Sequence, residues 1–189
     1  MTPHETFSNS VRLYARRIDE SSAPALAGLY DLTAQRLTRY AATVTRNQHD
    51  AEDAVQAALV KVSGQPQLLR DCDRPWSYLL RMVRNESLVI LRRRKRWSLV
   101  GNLSDLLTRR LVDEVDQEDT HRAVWSALRT LPTKQSEVVV LKIWEEMTFA
   151  EIGDVLEISA STAASRYRYA IEKLSQKLQV YTEAEVGYE

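Results

Sequence analysis

The chain has 189 residues, enough for one or two small domains with buried cores. Its 26 basic and 26 acidic residues cancel, and it holds five glycines, five prolines and one cysteine. Few glycines and prolines favour an all-α fold, and a single cysteine excludes an internal disulfide, which fits a reducing cytoplasm. No apolar run approaches the ~20 residues that span a bilayer, and the first residues lack the pattern of a signal peptide.

The charges are spread unevenly along the chain. Residues 1–96 hold 16 Lys and Arg against 10 Asp and Glu, whereas residues 97–119 hold 2 against 6. A basic front part suits contact with nucleic acid. The acidic stretch thins in apolar residues toward Asp119 and is predicted to be a solvated linker.

The predicted elements divide the chain into two small helical domains. Apolar residues recur at intervals of three and four over most of the chain, which is typical of helices packed on one face. The predicted segments are an N-terminal segment (residues 1–22), a front domain (23–96), the acidic linker (97–119), a rear domain (120–179) and a frayed tail (180–189). We assign no function to the two terminal pieces.

The front domain is predicted to contain three helices. The first spans about residues 23–46, the second starts near Asp50, and the third spans about residues 76–96. Asp53 and Gln56 lie three positions apart on the second helix, so they share a face away from its apolar stripe. On pattern alone, acids in a first helical turn are partners of the helix dipole and indicate no binding site.

A polar loop, residues 69–74, comes before Pro75, which can begin the third helix. Trp76 follows at once, and the helix ends in five successive cations, Arg92–Arg96. Cations at this density lower the cost of bringing a phosphate backbone close. Trp76 and Tyr78 could each present an aromatic face to an unstacked base or be buried in the core. Burial is the alternative for Trp76 and the favoured interpretation for Tyr78.

The rear domain is predicted to end in a helix-turn-helix. Thr148 can cap a short helix, with Glu151 completing a capping box, and Glu157–Ser159 forms the turn before a second helix from about Ala160. The outer side of that second helix carries polar residues: Ser161, Thr162, Ser165, Arg166, Arg168 and Lys173. Such a helix can lay its first turn in a DNA major groove.

Both domains resemble conserved domains of bacterial sigma factors of the sigma-70 family, in particular the extracytoplasmic-function (ECF) group. In the rear domain the resembling residues are Leu131-Pro132, Gln135, Val138–Leu141, Ala150–Ile152 and Thr162–Arg166. In the front domain they are Tyr30, Leu37, Tyr40, Asp50–Gln56, Tyr78–Arg81 and Arg84-Asn85. The two occur in the family's order, with a linker of the family's length, over about residues 23–178.

The resemblance implies a cytoplasmic subunit of bacterial RNA polymerase that directs promoter recognition, DNA melting and initiation, and that is not itself an enzyme. It implies binding of core polymerase by Asp50, Asp53 and Gln56. It implies contact with the minus-ten promoter element by Leu69, Arg70, Asp71, Asp73, Arg74, Trp76, Arg81, Arg84, Asn85, Arg92, Arg93 and Arg94. The minus-thirty-five element would be bound by Ser161, Thr162, Ser165, Arg166, Arg168 and Lys173.

Several positions depart from the family pattern. Ala57 stands where an acid is common, so the polymerase contact is expected to be reduced or shifted. Ala163-Ala164 replaces Val-Lys, and Tyr169 and Ile171 stand where arginine is frequent. The minus-thirty-five surface therefore carries less charge than usual. By resemblance the acidic linker would thread the polymerase cleft. Its acid content supports an ordinary solvated linker equally well.

Two other functions stay open at this point. One is a conventional helix-turn-helix regulator, which the cation cluster Arg92–Arg96, far from the helix-turn-helix, disfavours. The other is a sigma-like decoy that binds protein without opening a promoter. We expect core polymerase and promoter DNA as partners and leave an anti-sigma factor open. No metal-ligand spacing, phosphate loop or catalytic grouping appears, so we expect no cofactor, and Cys72 is interpreted as an ordinary thiol.

Overall fold

A computed structural model describes the backbone of residues 3–18, 23–100 and 119–186, with side chains of residues 4–18, 23–97 and 124–177. The chain divides into two compact units, Met1–Val112 and Asp113–Glu189. Within the described backbone the regular elements are helices, as the composition predicts. The greater part of the predicted acidic linker, residues 101–118, lies outside the described residues.

The first unit is a helical bundle. Its helices are α1 (Pro3–Arg17), α2 (Ala23–Thr45), α3 (Gln48–Gly64), α4 (Gln67–Arg70) and α5 (Pro75–Val100). α2, α3 and α5 pack against one another around fully buried side chains that include Leu29, Leu37, Tyr40, Leu79 and Leu80. This core comes from the apolar stripes that the spacing predicts, because each helix buries one face against the other two.

The junction between α2 and α3 is a tight turn. Thr45 Oγ1 donates to the carbonyls of Ala41 and Asn47, and Arg46 adopts a left-handed conformation with φ of 57°. Asn47 then caps α3, its side chain accepting from the backbone N–H of Asp50 at 3.0 Å. The break predicted between the first two helices is therefore confirmed, and the cap explains its position.

The N-terminal segment forms a helix that is packed on the rest of the unit. Val11 and Ala15 of α1 and Ile18 directly after it are buried, and the helix contacts α2, α4 and α5. The close approach to α2 occurs at Gly28, where a Cβ would meet the Tyr14 ring at 2.3 Å. The front domain therefore begins at α1 rather than at residue 23, because burial of α1's apolar face requires the other helices.

The second unit contains α6 (Asp119–Thr130), α7 (Thr133–Ile143), α8 (Phe149–Leu156) and α9 (Ala160–Val186). Its buried core is formed by residues of all four helices and of the turns between them, including Leu128, Leu131, Val138, Val140, Leu141, Met147, Ile152, Val155, Ala163 and Ala170. The rings of Trp125 and Trp144 pair at 5.2 Å between centroids. α9 continues into the predicted tail as far as Val186, so the tail is helical over most of its length.

Candidate functional site

The face predicted for polymerase binding lies on the outside of α3. Asp53 and Gln56 are exposed, while Ala51, Ala54, Val55, Ala58 and Leu59 on the other side are buried. Val60 continues the outward stripe, four positions after Gln56, and is 64% exposed. An exposed valine next to an acid and an amide forms a small amphipathic surface that can bind another protein. The prediction did not include Val60, although its place outside the apolar stripe was the available signal.

Asp50, at the start of the same helix, has a different environment. Its carboxylate forms an ion pair with the guanidinium of Arg94, from the end of α5, and its side chain is 16% exposed. Asp50 therefore lies beside the exposed face of α3 and holds α5 to α3. A second ion pair, between Lys61 Nζ and Glu86 Oε1 at 2.5 Å, links the same two helices.

The predicted minus-ten loop is partly helical. Residues 67–70 form α4, and the side chain of Leu69 within it is fully buried. Leu69 is thus a core residue, and its prediction as a DNA contact is wrong, because an apolar side chain on a short helix gains more from burial than from exposure. The polar members of the set, Arg70, Asp71, Asp73 and Arg74, are exposed. Arg70 Nε pairs with Asp71 Oδ1 at 3.0 Å.

Trp76 is the second predicted DNA contact that the structure places in the core. Its side chain is 2% exposed, and its ring meets Phe7 of α1 edge to face, with centroids 4.9 Å apart and planes at 82°. The predicted base contact by Trp76 is therefore wrong for this conformation, and the core alternative holds. The cause is α1, whose Phe7 covers the indole from a distance of 69 positions in sequence.

One side of α5 carries three of the predicted contacts, together with Tyr78, for which a core position was the favoured prediction. Tyr78, Arg81, Asn85 and Arg92 recur at intervals of three, four and seven and form one stripe along the helix. The Arg81 guanidinium lies 5.4 Å from the centre of the Tyr78 ring, and Tyr78 is half-buried rather than part of the core. The stripe offers an aromatic face and cations at adjacent positions, which is the chemistry that holds an unstacked base and its phosphate.

The other predicted arginines of α5 lie off this stripe. Arg84 is half-buried, and Arg93 and Arg94 are exposed on other sides of the helix, Arg94 toward Asp50. The five cations Arg92–Arg96 are all exposed, and as consecutive residues they occupy every side of α5, which continues to Val100. They provide a positive potential on several sides of α5, and one of these is the side that carries Tyr78 and Arg81.

The helix-turn-helix has the local structure that the sequence predicts. Thr148 and Glu151 form the full capping box of α8, and α8 ends at Glu157 in a left-handed conformation with φ of 57° and ψ of 47°. Ser159 caps α9, its Oγ accepting from the N–H of Thr162 at 3.1 Å. Gly153 is required at the turn, because a Cβ there would meet the carbonyl oxygen of Ile158 at 2.7 Å.

The outward face of α9 is polar and mostly exposed. Ser161, Thr162, Ser165, Arg168 and Lys173 are exposed, whereas Arg166 is half-buried at the edge of the face. Tyr169 lies on this face at 51% exposure, with the Arg168 guanidinium 5.2 Å from its ring centre. Tyr169 is a further candidate contact that the predicted set omitted. Exposure of a large aromatic ring on a helix that buries Ala163, Ala170 and Leu174 is the feature that identifies it.

Two family descriptions match this chain, one for each unit. Residues 29–97 match Sigma-70 region 2, and residues 121–174 match Sigma-70, region 4. A sigma-E factor of RNA polymerase from Streptomyces avermitilis is 30% identical over 148 residues, covering 76% of this chain and 79% of that protein. The ECF sigma factor SigL of Mycobacterium tuberculosis is 29% identical, covering 84% and 92%. The chain belongs to the ECF group of the sigma-70 family.

The fold of this sigma factor agrees with that of a solved relative. The sigma factor RpoE of Bartonella quintana, determined with the anti-sigma factor NepR, matches with a TM-score of 0.67 over 80% of this chain and 94% of that one, at 20% identity. The region 2 match of this sigma factor holds the α3 face, the loop and the α5 stripe, and the region 4 match holds the outward face of α9. α1 lies before both.

The described part of this sigma factor contains no group of three or more His, Cys, Asp or Glu side chains that could hold a metal ion. Among the described helices, none is both long and apolar enough to cross a bilayer. Cys72 is a free, half-buried thiol beside the exposed loop residues.

Proposed function

We propose that this ECF sigma factor initiates transcription through three surfaces of its own chain. The α3 face binds core RNA polymerase, the loop and the α5 stripe capture the melted minus-ten strand, and the outward face of α9 holds the minus-thirty-five duplex. The observation that carries the proposal is the α5 stripe, where the half-buried Tyr78 and Arg81 and the exposed Asn85 and Arg92 line one side of a region 2 helix. A regulator that binds only duplex DNA has no need of such a stripe in a separate domain.

Binding of polymerase is assigned to Asp53, Gln56 and Val60. The acid and the amide supply directional contacts, and the exposed valine supplies apolar area that is lost from water on docking. Asp50 supports this surface by fixing the first turn of α3 against Arg94. Ala57 stands where an acid is common, and Val60 is exposed nearby. The contact with polymerase is therefore proposed to depend less on charge and more on apolar burial.

Capture of the minus-ten strand is assigned to the α5 stripe and to the exposed residues of the loop. Opening a duplex without a chemical energy source requires that unstacked bases find new partners, and stacking on an aromatic side chain is worth about 1–3 kcal/mol per base. Tyr78 offers such a face, and Arg81 and Arg92 can neutralise neighbouring phosphates. Arg70, Asp71, Asp73 and Arg74 shape the loop that selects the bases.

Binding of the minus-thirty-five element is assigned to the first turns of α9. Its exposed hydroxyls and backbone N–H groups face outward at the positive end of the helix dipole, which favours a DNA phosphate. Arg168 and Tyr169 extend the surface by one turn. Glu172 lies on the same face and is exposed, so the net charge is low. This element is therefore expected to bind weakly in isolation and to depend on polymerase for stable contact.

The proposal includes the cytoplasm as the site of action and an anti-sigma factor as a further partner. The likeness to RpoE, which was solved with its anti-sigma factor NepR, supports the second point. The catalytic step of RNA synthesis is assigned to the polymerase. The acidic linker, residues 97–119, is proposed to thread the polymerase cleft.

The test is transcription in vitro with purified core polymerase and a promoter selected from randomised DNA by the wild-type holoenzyme. Asp53→Arg is expected to weaken polymerase binding about tenfold, because a reversed charge at the contact repels what the acid attracts. Asp31→Arg, an exposed acid of α2, is the matched control. Arg81→Ala should reduce promoter opening with polymerase binding unchanged.

The minus-thirty-five surface is tested separately. Arg168→Ala is expected to reduce holoenzyme affinity for a promoter with that element about fivefold, and to have no effect on a promoter without it. Lys177→Ala removes an equal charge farther along α9 and serves as the control. Wild-type protein that binds polymerase and yet starts no transcript from any selected template would refute the proposal and indicate the decoy function instead.

A further inference from the structure

α1 contacts the loop of residues 69–74, although α1 lies outside the region 2 match, which begins at residue 29. Resting on the proposed function, we propose that α1 is a positioning element for minus-ten recognition. Phe7 and Arg12 hold the segment from Asp73 to Trp76 in the conformation that captures the melted strand. Neither residue is assigned contact with DNA itself.

The first connection is a hydrogen bond from α1 to the backbone of the loop. Arg12 Nη2 donates to the carbonyl oxygen of Asp73 at 2.5 Å, across 61 positions of sequence. A charged donor makes a stronger bond to a carbonyl than a neutral one does. Because the acceptor is a backbone atom, the bond restricts the chain direction of the loop, and it therefore restricts where the side chains of Asp73 and Arg74 point.

The second connection is aromatic. The Phe7 ring lies between the indole of Trp76, 4.9 Å away edge to face, and the guanidinium of Arg36, 3.9 Å above its centre. Trp76 stands in the first turn of α5, directly after the loop. Phe7 therefore ties the start of α5 to α2, and it sets the position from which the Tyr78 stripe begins.

The third connection fixes α1 on the domain. Gly28 of α2 admits the Tyr14 ring so closely that any larger residue would displace it. Phe7, Val11 and Tyr14 lie on one face of α1 at intervals of three and four. A shift of α1 at Gly28 would move Phe7 and Arg12 together, because a helix of 15 residues moves as one body.

A recognition loop gains from such a brace for a physical reason. Ordering a flexible loop at the moment of binding costs conformational entropy, and a loop already held in its bound shape avoids that cost. Arg70 pairs with Asp71 at one end of the loop, and the bond from Arg12 to the Asp73 carbonyl is the contact that α1 adds at the other end. The conformation of the Asp73 end is therefore expected to depend on α1, and selectivity among bases is expected to depend on α1 in the same way.

The experiment compares full-length variants assembled with core polymerase. The probe is a template library randomised over the melted minus-ten stretch, and the readouts are the base preferences of the retained templates and the fraction of open complexes. Arg12→Ala and Phe7→Ala are each expected to reduce the preference for the selected bases about tenfold, with polymerase affinity unchanged. Arg12→Lys should restore part of the preference, because it keeps a charged donor.

Two controls match these changes on the same helix. Arg16→Ala removes an exposed arginine one turn from Arg12, and Leu13→Ala removes an exposed apolar side chain in place of Phe7. Both are expected to keep wild-type base preferences. If Arg12→Ala also keeps them, α1 has no positioning role.

A loss that extends equally to polymerase binding and thermal stability would show a merely structural role, and it would also overturn the proposal. Failure of the proposed function is distinct from either outcome, since the wild-type protein would then select no promoter at all.

Discussion

The guanidinium of Arg94, near the end of α5, forms an ion pair with the carboxylate of Asp50 in the first turn of α3. The sequence assigned these residues to different partners, Asp50 to polymerase and Arg94 to DNA. In the structure each neutralises the other, and the helix proposed for polymerase docking is joined to the cation cluster proposed for DNA. One of the five cations is therefore already occupied in the free protein.

Asp50→Asn is expected to release Arg94 to bind phosphate. The slope of log affinity against log salt for a duplex probe should steepen by about one unit, because one more phosphate is neutralised. The free energy of unfolding should change by only about 0–1 kcal/mol, since the pair is partly exposed to solvent. Fluorescence anisotropy over a salt series measures the slope. Asp31→Asn is the control, and an equal slope in both variants would contradict the expectation.

Trp76→Ala tests whether this residue belongs to the core. Removing a buried indole should lower the free energy of unfolding of the first unit by about 3–5 kcal/mol, because a cavity remains beneath Phe7. Urea unfolding followed by circular dichroism measures the loss. Trp97 is 77% exposed, so Trp97→Ala should have little effect. A stable Trp76→Ala protein that had lost only DNA binding would restore the original prediction of a base contact.

Gly153→Ala tests the close approach in the helix-turn-helix. The added methyl would lie 2.7 Å from the carbonyl oxygen of Ile158, and the resulting shift should cost about 1–3 kcal/mol. Gly64→Ala is the matched control, because nothing lies within 4 Å of a Cβ at that position. The control should be neutral or stabilising by up to about 1 kcal/mol. Equal melting temperatures of the two variants would show that the turn can open without cost.

Glu157→Gly is expected to stabilise the second unit. Glu157 ends α8 in the left-handed conformation, which costs a residue with a Cβ about 1 kcal/mol and costs glycine nothing. The gain should appear as a higher urea midpoint with an unchanged slope. Asp154→Gly, inside the same helix, should have the opposite sign because glycine disfavours a helix interior. A lower midpoint for Glu157→Gly would mean that contacts of the glutamate outweigh its backbone strain.

The sequence alone determined the features that depend on neighbours within a few positions. The capping box of Thr148 and Glu151, the break at Asn47 and the exposed faces at Asp53 and Ser161 were all predictable, because helix periodicity and capping act over one or two turns. The main predictions about function came instead from the resemblance of motifs such as Asp50–Gln56 and Thr162–Arg166 to the sigma-70 family.

The tertiary structure decided which residues of the predicted site remain at the surface. Leu69 is buried inside the first unit, Trp76 is buried beneath Phe7 of α1, and Asp50 is paired because α5 returns beside α3. The last two outcomes depend on contacts between residues about 44 to 69 positions apart, for which a helical pattern contains no signal. Burial is a property of the assembled helices, so only the packed domain could separate the residues of its core from those that face a partner.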